Sequence, residues 1–255
     1  MLSLPVLAAI QAIVLVAFVA EAAIGFGATV ITVTLAVLIV PLNTILPAFV
    51  PVNMTLSLYL AVRNQSAIAV GVLVRELAPA VLCGLGVGIW LFRKQALEVL
   101  VLAFASFIVV LSIVELVRAR RMEAPPQPLS AAPRQLLLAL GGFVHGLFGT
   151  GGPMIVYVLQ RRGLEKGAFR ASLAVVWLTL NTALMTNFAS LGLLNARSFS
   201  LSATIALALV PALLIGERLH HRLSPRRFTL GIFSLLLIAG LALAARTTLK
   251  LVTHT

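Results

Sequence analysis

Two titratable side chains stand deep inside long apolar runs, and each is followed four residues later by a glycine cluster. Glu21 precedes Gly25-Phe26-Gly27, and His145 precedes Gly149-Thr150-Gly151-Gly152-Pro153. Laid so that Gly25 falls on Gly149, the chain also sets Glu21 on His145 and Gly27 on Gly151. Glycine lets an oxyanion approach the backbone, and a helix that restarts after such a break presents unpaired N–H groups with a partial positive charge. The chemistry predicted for Gly25, Phe26, Gly27, Gly149, Thr150, Gly151, Gly152 and Pro153, with Thr29 beside the first cluster, is therefore reversible anion binding. An ionisable group at membrane depth is expensive and by default suggests function. Glu21 and His145 are accordingly candidates for proton coupling or gating, the alternative being that both are neutral and hydrogen-bonded within the protein.

The elements that position these residues are apolar helices. The chain has 255 residues, 61% hydrophobic and 10% charged, with a mean hydropathy of +1.11. A soluble domain would be about 25% charged, so the sequence is that of an integral, all-α polytopic membrane protein. The net charge of +12 does not point to nucleic acid, because the basic residues sit singly or in short clusters at the ends of apolar segments. That pattern fits cytoplasmic anchoring and contact with anionic lipid headgroups. The N-terminus lacks the basic region of a cleaved signal, and the first helix is expected to be retained. Leu4–Val40 is too long for one span and is interrupted at Glu21 and Gly25–Gly27. Thr44–Val62, with Pro47 and Pro51, is expected to be irregular. Leu77–Phe92 is a span whose Gly84, Gly86 and Gly88 let helix backbones approach, and Leu97–Val117 is the next.

The second half repeats this order. Leu136–Leu159 is broken by Gly149–Pro153. A basic loop, a polar span over Ala171–Leu194 and two further apolar segments follow. The division is a first repeat over 1–118, an Arg/Pro-rich cytoplasmic linker over 119–134 and a second repeat over 135–255. If each broken segment is a hairpin that returns to its own side, Arg63, Arg75 and the basic residues of 118–134, 161–170 and 218–227 share one face. Arg93, Lys94, Arg197, Arg246 and Lys250 oppose them. Eight simple spans would leave no such bias. The positive-inside rule favours two inverted repeats, each a glycine-broken hairpin plus three transmembrane helices.

Gly141–Met154, with Gly163-Leu-Glu-Lys-Gly-Ala-Phe-Arg170 after it, resembles the second-half signature of the sulfite exporter TauE/SafE-like family, also described as the toluene-sulfonate uptake permease group. Ala20-Glu-Ala-Ala-Ile-Gly-Phe-Gly-Ala-Thr29 is similar to its first-half counterpart. The resemblance covers nearly the whole chain. It implies a cytoplasmic-membrane permease for small sulfur-containing anions such as sulfite, sulfonates and sulfo-carboxylates, without a cofactor. Two features depart from the pattern: Thr32 and Thr34 stand where a proline is often found, and Glu21 where a neutral residue is expected.

Other residues fit the same reading. Arg170, at the mouth of a polar span, can recruit an anion or anchor to headgroups. Asn53 and Asn181 can line the route or hydrogen-bond between helices. Trp90 and Trp177 read as packing or interface residues, and His220-His221 as part of a basic turn rather than a metal site. Cys83 reads as a small packing residue. No Gly-x-Ser-x-Gly or His-Glu-x-x-His occurs, and the chain has no Asp, so an enzyme is disfavoured. A passive anion channel or a scaffold subunit is the remaining alternative, and the chain can form a homo-oligomer in any of these roles.

Overall fold

The structure, a computed structural model, describes residues 2–94, 97–120, 128–222 and 225–253, and its regular elements among these are all helices. Arg121, Pro125 and Pro126 of the linker lie outside the described residues, as do the side chains of His220, His221, Arg222, Arg226 and Arg227. The first half contains α1 (Leu4–Ile24), α2 (Ala28–Ala36), α3 (Leu42–Arg63), α4 (Val70–Lys94) and α5 (Leu97–Arg120). The second contains α6 (Ala131–Phe148), α7 (Gly152–Gln160), α8 (Lys166–Ser190), α9 (Ala196–Ala206), α10 (Leu209–Arg222) and α11 (Pro225–Thr253).

Among the described residues six helices, α1, α3, α4, α5, α8 and α11, are long and apolar enough to cross a membrane. A seventh span arises if α9 and α10, bent by 42° at their junction, are taken together. At 1.5 Å per residue, α2 and α7 reach only about 14 Å and cannot cross the roughly 30 Å hydrocarbon layer. Large apolar side chains such as Val110, Leu207 and Ile238 stand exposed on the outer helix faces, where lipid rather than water is the favourable neighbour.

The sequence expectations shift in two places. Thr44–Val62 is not irregular: α3 is one helix with Pro47 and Pro51 inside it. Each proline deletes a backbone hydrogen bond, and tertiary packing outweighs the loss. α3 lies against α8 and α9, and the Ser202 hydroxyl donates to the Ala48 carbonyl at 2.8 Å. The span expected over Leu77–Phe92 begins earlier, at Val70, through a π-helical turn over Leu73–Leu77.

Packing crosses between the halves. α4 lies along α6, α1 along α10, α3 along α8 and α5 along α11. Glycines set the closest approach: a methyl group at Gly84 would overlap the Ala139 carbonyl, and one at Gly88 the Phe143 carbonyl, both on α6. Arg134 near the start of α6 and Arg162 just beyond α7 both pair with Glu76 of α4. The two ends of the α6–α7 segment therefore lie together. At the opposite end of the molecule, Arg246 of α11 donates to the Leu38 carbonyl just beyond α2.

Candidate functional site

Both helix breaks are closed by the same backbone device. α1 ends at Gly25 with φ 90°, and its N–H donates to the Glu21 carbonyl at 2.7 Å. α6 ends at Gly149 with φ 68°, and its N–H donates to the His145 carbonyl at 2.7 Å. Left-handed backbone at these caps is the conformation glycine adopts without a Cβ penalty. Glu21 and His145 are thus the residues whose carbonyls terminate the two helices, and their side chains are held beside the restarting helices α2 and α7.

The two side chains are joined by one hydrogen-bonded chain. The distance from His145 Nε2 to Asn181 Oδ1 is 3.2 Å, from Asn181 Nδ2 to Asn53 Oδ1 2.9 Å, and from Asn53 Nδ2 to Glu21 Oε1 2.9 Å. A carbonyl oxygen only accepts, so His145 donates through Nε2 and every donor in the chain points toward Glu21. All four residues are buried. The Ala28 amide, first in α2, also reaches the Glu21 carboxyl group, so this acid occupies the positive end of α2. Among the described residues, the chamber wall at the positive end of α7 carries His145, and Glu21 is its one carboxyl group.

Helical spacing explains how α8 serves the site: Arg170, Trp177, Asn181 and Leu184 recur at intervals of seven, four and three on one buried face. Trp177 stacks on His145 with 4° between ring planes, and its Nε1 donates to the Gly25 carbonyl at 2.8 Å. The sequence reading of Trp177 as a packing residue missed this. The signal available was its place four residues before Asn181 on a polar span.

A chamber of about 20 Å³ lies where the breaks meet, walled by Gly27, Thr29, Gly149, Thr150, Gly152 and the hydrogen-bonded chain. That volume suits roughly one water molecule. The Thr150 hydroxyl and His145 Nδ1, both buried, have no protein partner, so the chamber wall offers an unpaired donor and an unpaired acceptor. Gly152 faces the Trp177 ring, with room for a methyl group 3.6 Å from its edge.

Four residues from the two glycine clusters sit outside the chamber wall, Gly25 among them, where it faces Arg170 and Leu173 of α8. A methyl group at Gly151 would overlap the Gly141 carbonyl, so Gly151 lets α7 pack on α6 rather than lining the chamber. Phe26 and Pro153 instead wall a separate, open cavity of about 360 Å³, together with Arg118, Tyr157, Lys166 and Arg170. A second cavity, of about 250 Å³, is lined by Val37, Ile39, Pro41, Glu98, Arg246 and Lys250, among others. Glu98 and Arg118 lie at the two ends of α5, about 30 Å apart along the helix, so the cavities open at opposite ends of the α5–α11 pair.

Arg170 is nine-tenths buried at the inner wall of the larger cavity. Its backbone and Cγ stand 3.5 Å from the position of a Gly25 methyl group, which places it directly behind the first break. Its guanidinium donates to Glu217 at 3.0 Å.

The family model described as Sulfite exporter TauE/SafE matches residues 10–243. The chain belongs to the TauE/SafE sulfite exporter family. This is a family of membrane transporters rather than enzymes, consistent with the apolar helices. Comparison with curated proteins and with solved structures returned no match.

Proposed function

We propose that the protein is a secondary transporter of small sulfur-containing anions, in the class of sulfite, sulfonates and sulfo-carboxylates, working by alternating access in the cytoplasmic membrane. The observation that carries this reading is a small polar chamber, walled by buried side chains at two facing helix breaks, with a larger charged cavity toward each end of the molecule. A fixed pore would be continuous. Here the chamber is too small for a sulfonate group, as expected of an occluded resting state that must open to one cavity at a time.

Within this reading the anion binds at the α7 break, to the first amides of α7, the Thr150 hydroxyl and the Gly149–Gly152 backbone. Glu21 already occupies the equivalent end of α2. Protonating Glu21 removes that resident charge, and anion and proton can then occupy the chamber together. His145 and Asn181 of α6 and α8, and Asn53 of α3, face the acid through the hydrogen-bonded chain; Arg170 stands behind Gly25. The two breaks are read as tips of inverted hairpins. The shared pairing of Arg134 and Arg162 with Glu76 supports this, as does the basic bias of that end of the molecule. Net direction, export or uptake, follows the anion and proton gradients.

Purified protein in detergent tests the reading by thermal shift. Sulfite, methanesulfonate or sulfoacetate should raise Tm, whereas chloride and acetate at matched ionic strength should not. Gly152→Ala has room to fold yet fills the chamber, and should lose the response. If no sulfur anion stabilises the parent protein beyond chloride, the substrate class is wrong.

A further inference from the structure

Arg170 does not meet the larger cavity as a free cation. Its Nη2 lies 3.0 Å from Glu217 Oε1, and the other carboxylate oxygen lies 3.6 Å from Arg63 Nη2 at the end of α3. Glu217 is fixed in place by its neighbour: Gly216 packs so closely on α1 that a methyl group there would meet Ala22 Cβ at 2.5 Å and the Val19 carbonyl at 2.9 Å. The three side chains therefore tie α3, α8 and the α1–α10 pair together around the Gly25 break.

The geometry of the tie is lopsided. Glu217 takes one edge nitrogen of Arg170 through one oxygen, and the Glu217 side chain is 30% exposed. Arg170 Nε is buried and has no partner. A guanidinium binds best when two of its N–H groups on one edge meet two oxygens of one planar or tetrahedral oxyanion. The resident carboxylate thus leaves half of this capacity unused, and a partly exposed single-point pair is weak.

We propose that Glu217 is a built-in competitor for the transported anion at Arg170. With the site empty, it holds Arg170 and closes the passage between the larger cavity and the Gly25 break. An oxyanion entering that cavity takes Arg170 by its Nε edge and displaces the carboxylate. The tie between α8 and α10 then opens, and the anion gains access to the chamber. The ligand class is a singly or doubly charged sulfur oxyanion small enough to present two oxygens to one guanidinium. This inference rests on the proposed transport of such anions and adds the residue that gates their entry.

The test measures binding of sulfite and methanesulfonate by titration of the full-length protein. Parent, Glu217→Gln, Glu217→Asp and Arg170→Gln are compared. Removing the competitor should tighten binding, by roughly fivefold for a pair of this exposure. Glu217→Asp keeps the charge and should stay near the parent, while Arg170→Gln should lose most affinity. A cysteine placed at Phe26 in a Cys83→Ala background should react faster with a water-soluble thiol reagent when Glu217→Gln is added. A purely structural ion pair predicts the opposite sign, with Glu217→Gln binding more weakly. Weaker or unchanged binding by Glu217→Gln, with the parent binding normally, would overturn the competitor role alone. Absence of binding by the parent and every variant would overturn the transport reading and this inference with it.

Discussion

Glu21 and His145 occupy equivalent places at the two breaks and differ in chemistry, and that difference gives the chamber its polarity. The hydrogen-bonded chain from His145 through Asn181 and Asn53 ends on the one carboxyl group in the cluster. Glu21→Gln keeps the shape and the acceptor oxygen for Asn53 while removing the exchangeable proton. Exchange of sulfite for sulfite across proteoliposomes should continue, while accumulation driven by an imposed pH gradient should vanish. Accumulation that persists in Glu21→Gln would remove the acid from any coupling role. These four residues were visible in the sequence one by one, because a polar group inside an apolar run is costly and hence conspicuous. Their connection was not visible, since the register of α3 against α8 depends on packing between distant segments. Glu217 escaped notice for a related reason. It reads as one more charge in a basic turn until Gly216 is seen pressed against α1.

At the scale of elements, glycine has two distinct uses that sequence spacing alone did not separate. Gly25 and Gly149 supply left-handed caps, whereas Gly84, Gly88 and Gly142 supply close backbone contact between α4 and α6. Gly86 was grouped with the packing glycines in the sequence reading, yet nothing lies within 4 Å of a methyl group there; it points away from α6. Gly84→Val and Gly88→Val should each destabilise the protein by about 1–3 kcal/mol through overpacking, read as a lower Tm and reduced yield. Gly86→Val should change stability by less than about 0.5 kcal/mol. Equal loss of Tm at Gly84 and Gly86 would contradict this assignment of the α4–α6 contact. The polar character of α8 was legible in the sequence, but not its division between faces: Asn181 and Asn187 are buried, whereas Thr179, Thr182 and Thr186 are exposed. The continuity of α3 was not legible, because proline argues locally against a helix that α8 and α9 hold in place.

The whole molecule sets a small, buried polar chamber between larger cavities toward its two ends. Arg63, Arg118, Lys166 and Arg170 lie at or near the larger cavity, and Arg246 and Lys250 at the smaller. The sequence expectation of an uneven charge rests on the assumed order of loops and spans. The cavities were not legible in the sequence, because they arise where α5 and α11, from opposite halves, meet the ends of the short helices. Alternation between these openings is the central claim, and counterflow measures it directly. Proteoliposomes loaded with unlabelled sulfite and diluted into a trace of radiolabelled sulfite should take up label transiently above equilibrium, because a carrier returns loaded faster than empty. Internal chloride in place of sulfite should abolish the overshoot, and so should Gly152→Ala in vesicles loaded with sulfite. Label that merely equilibrates, at a rate indifferent to internal sulfite, would identify a passive channel and contradict alternating access.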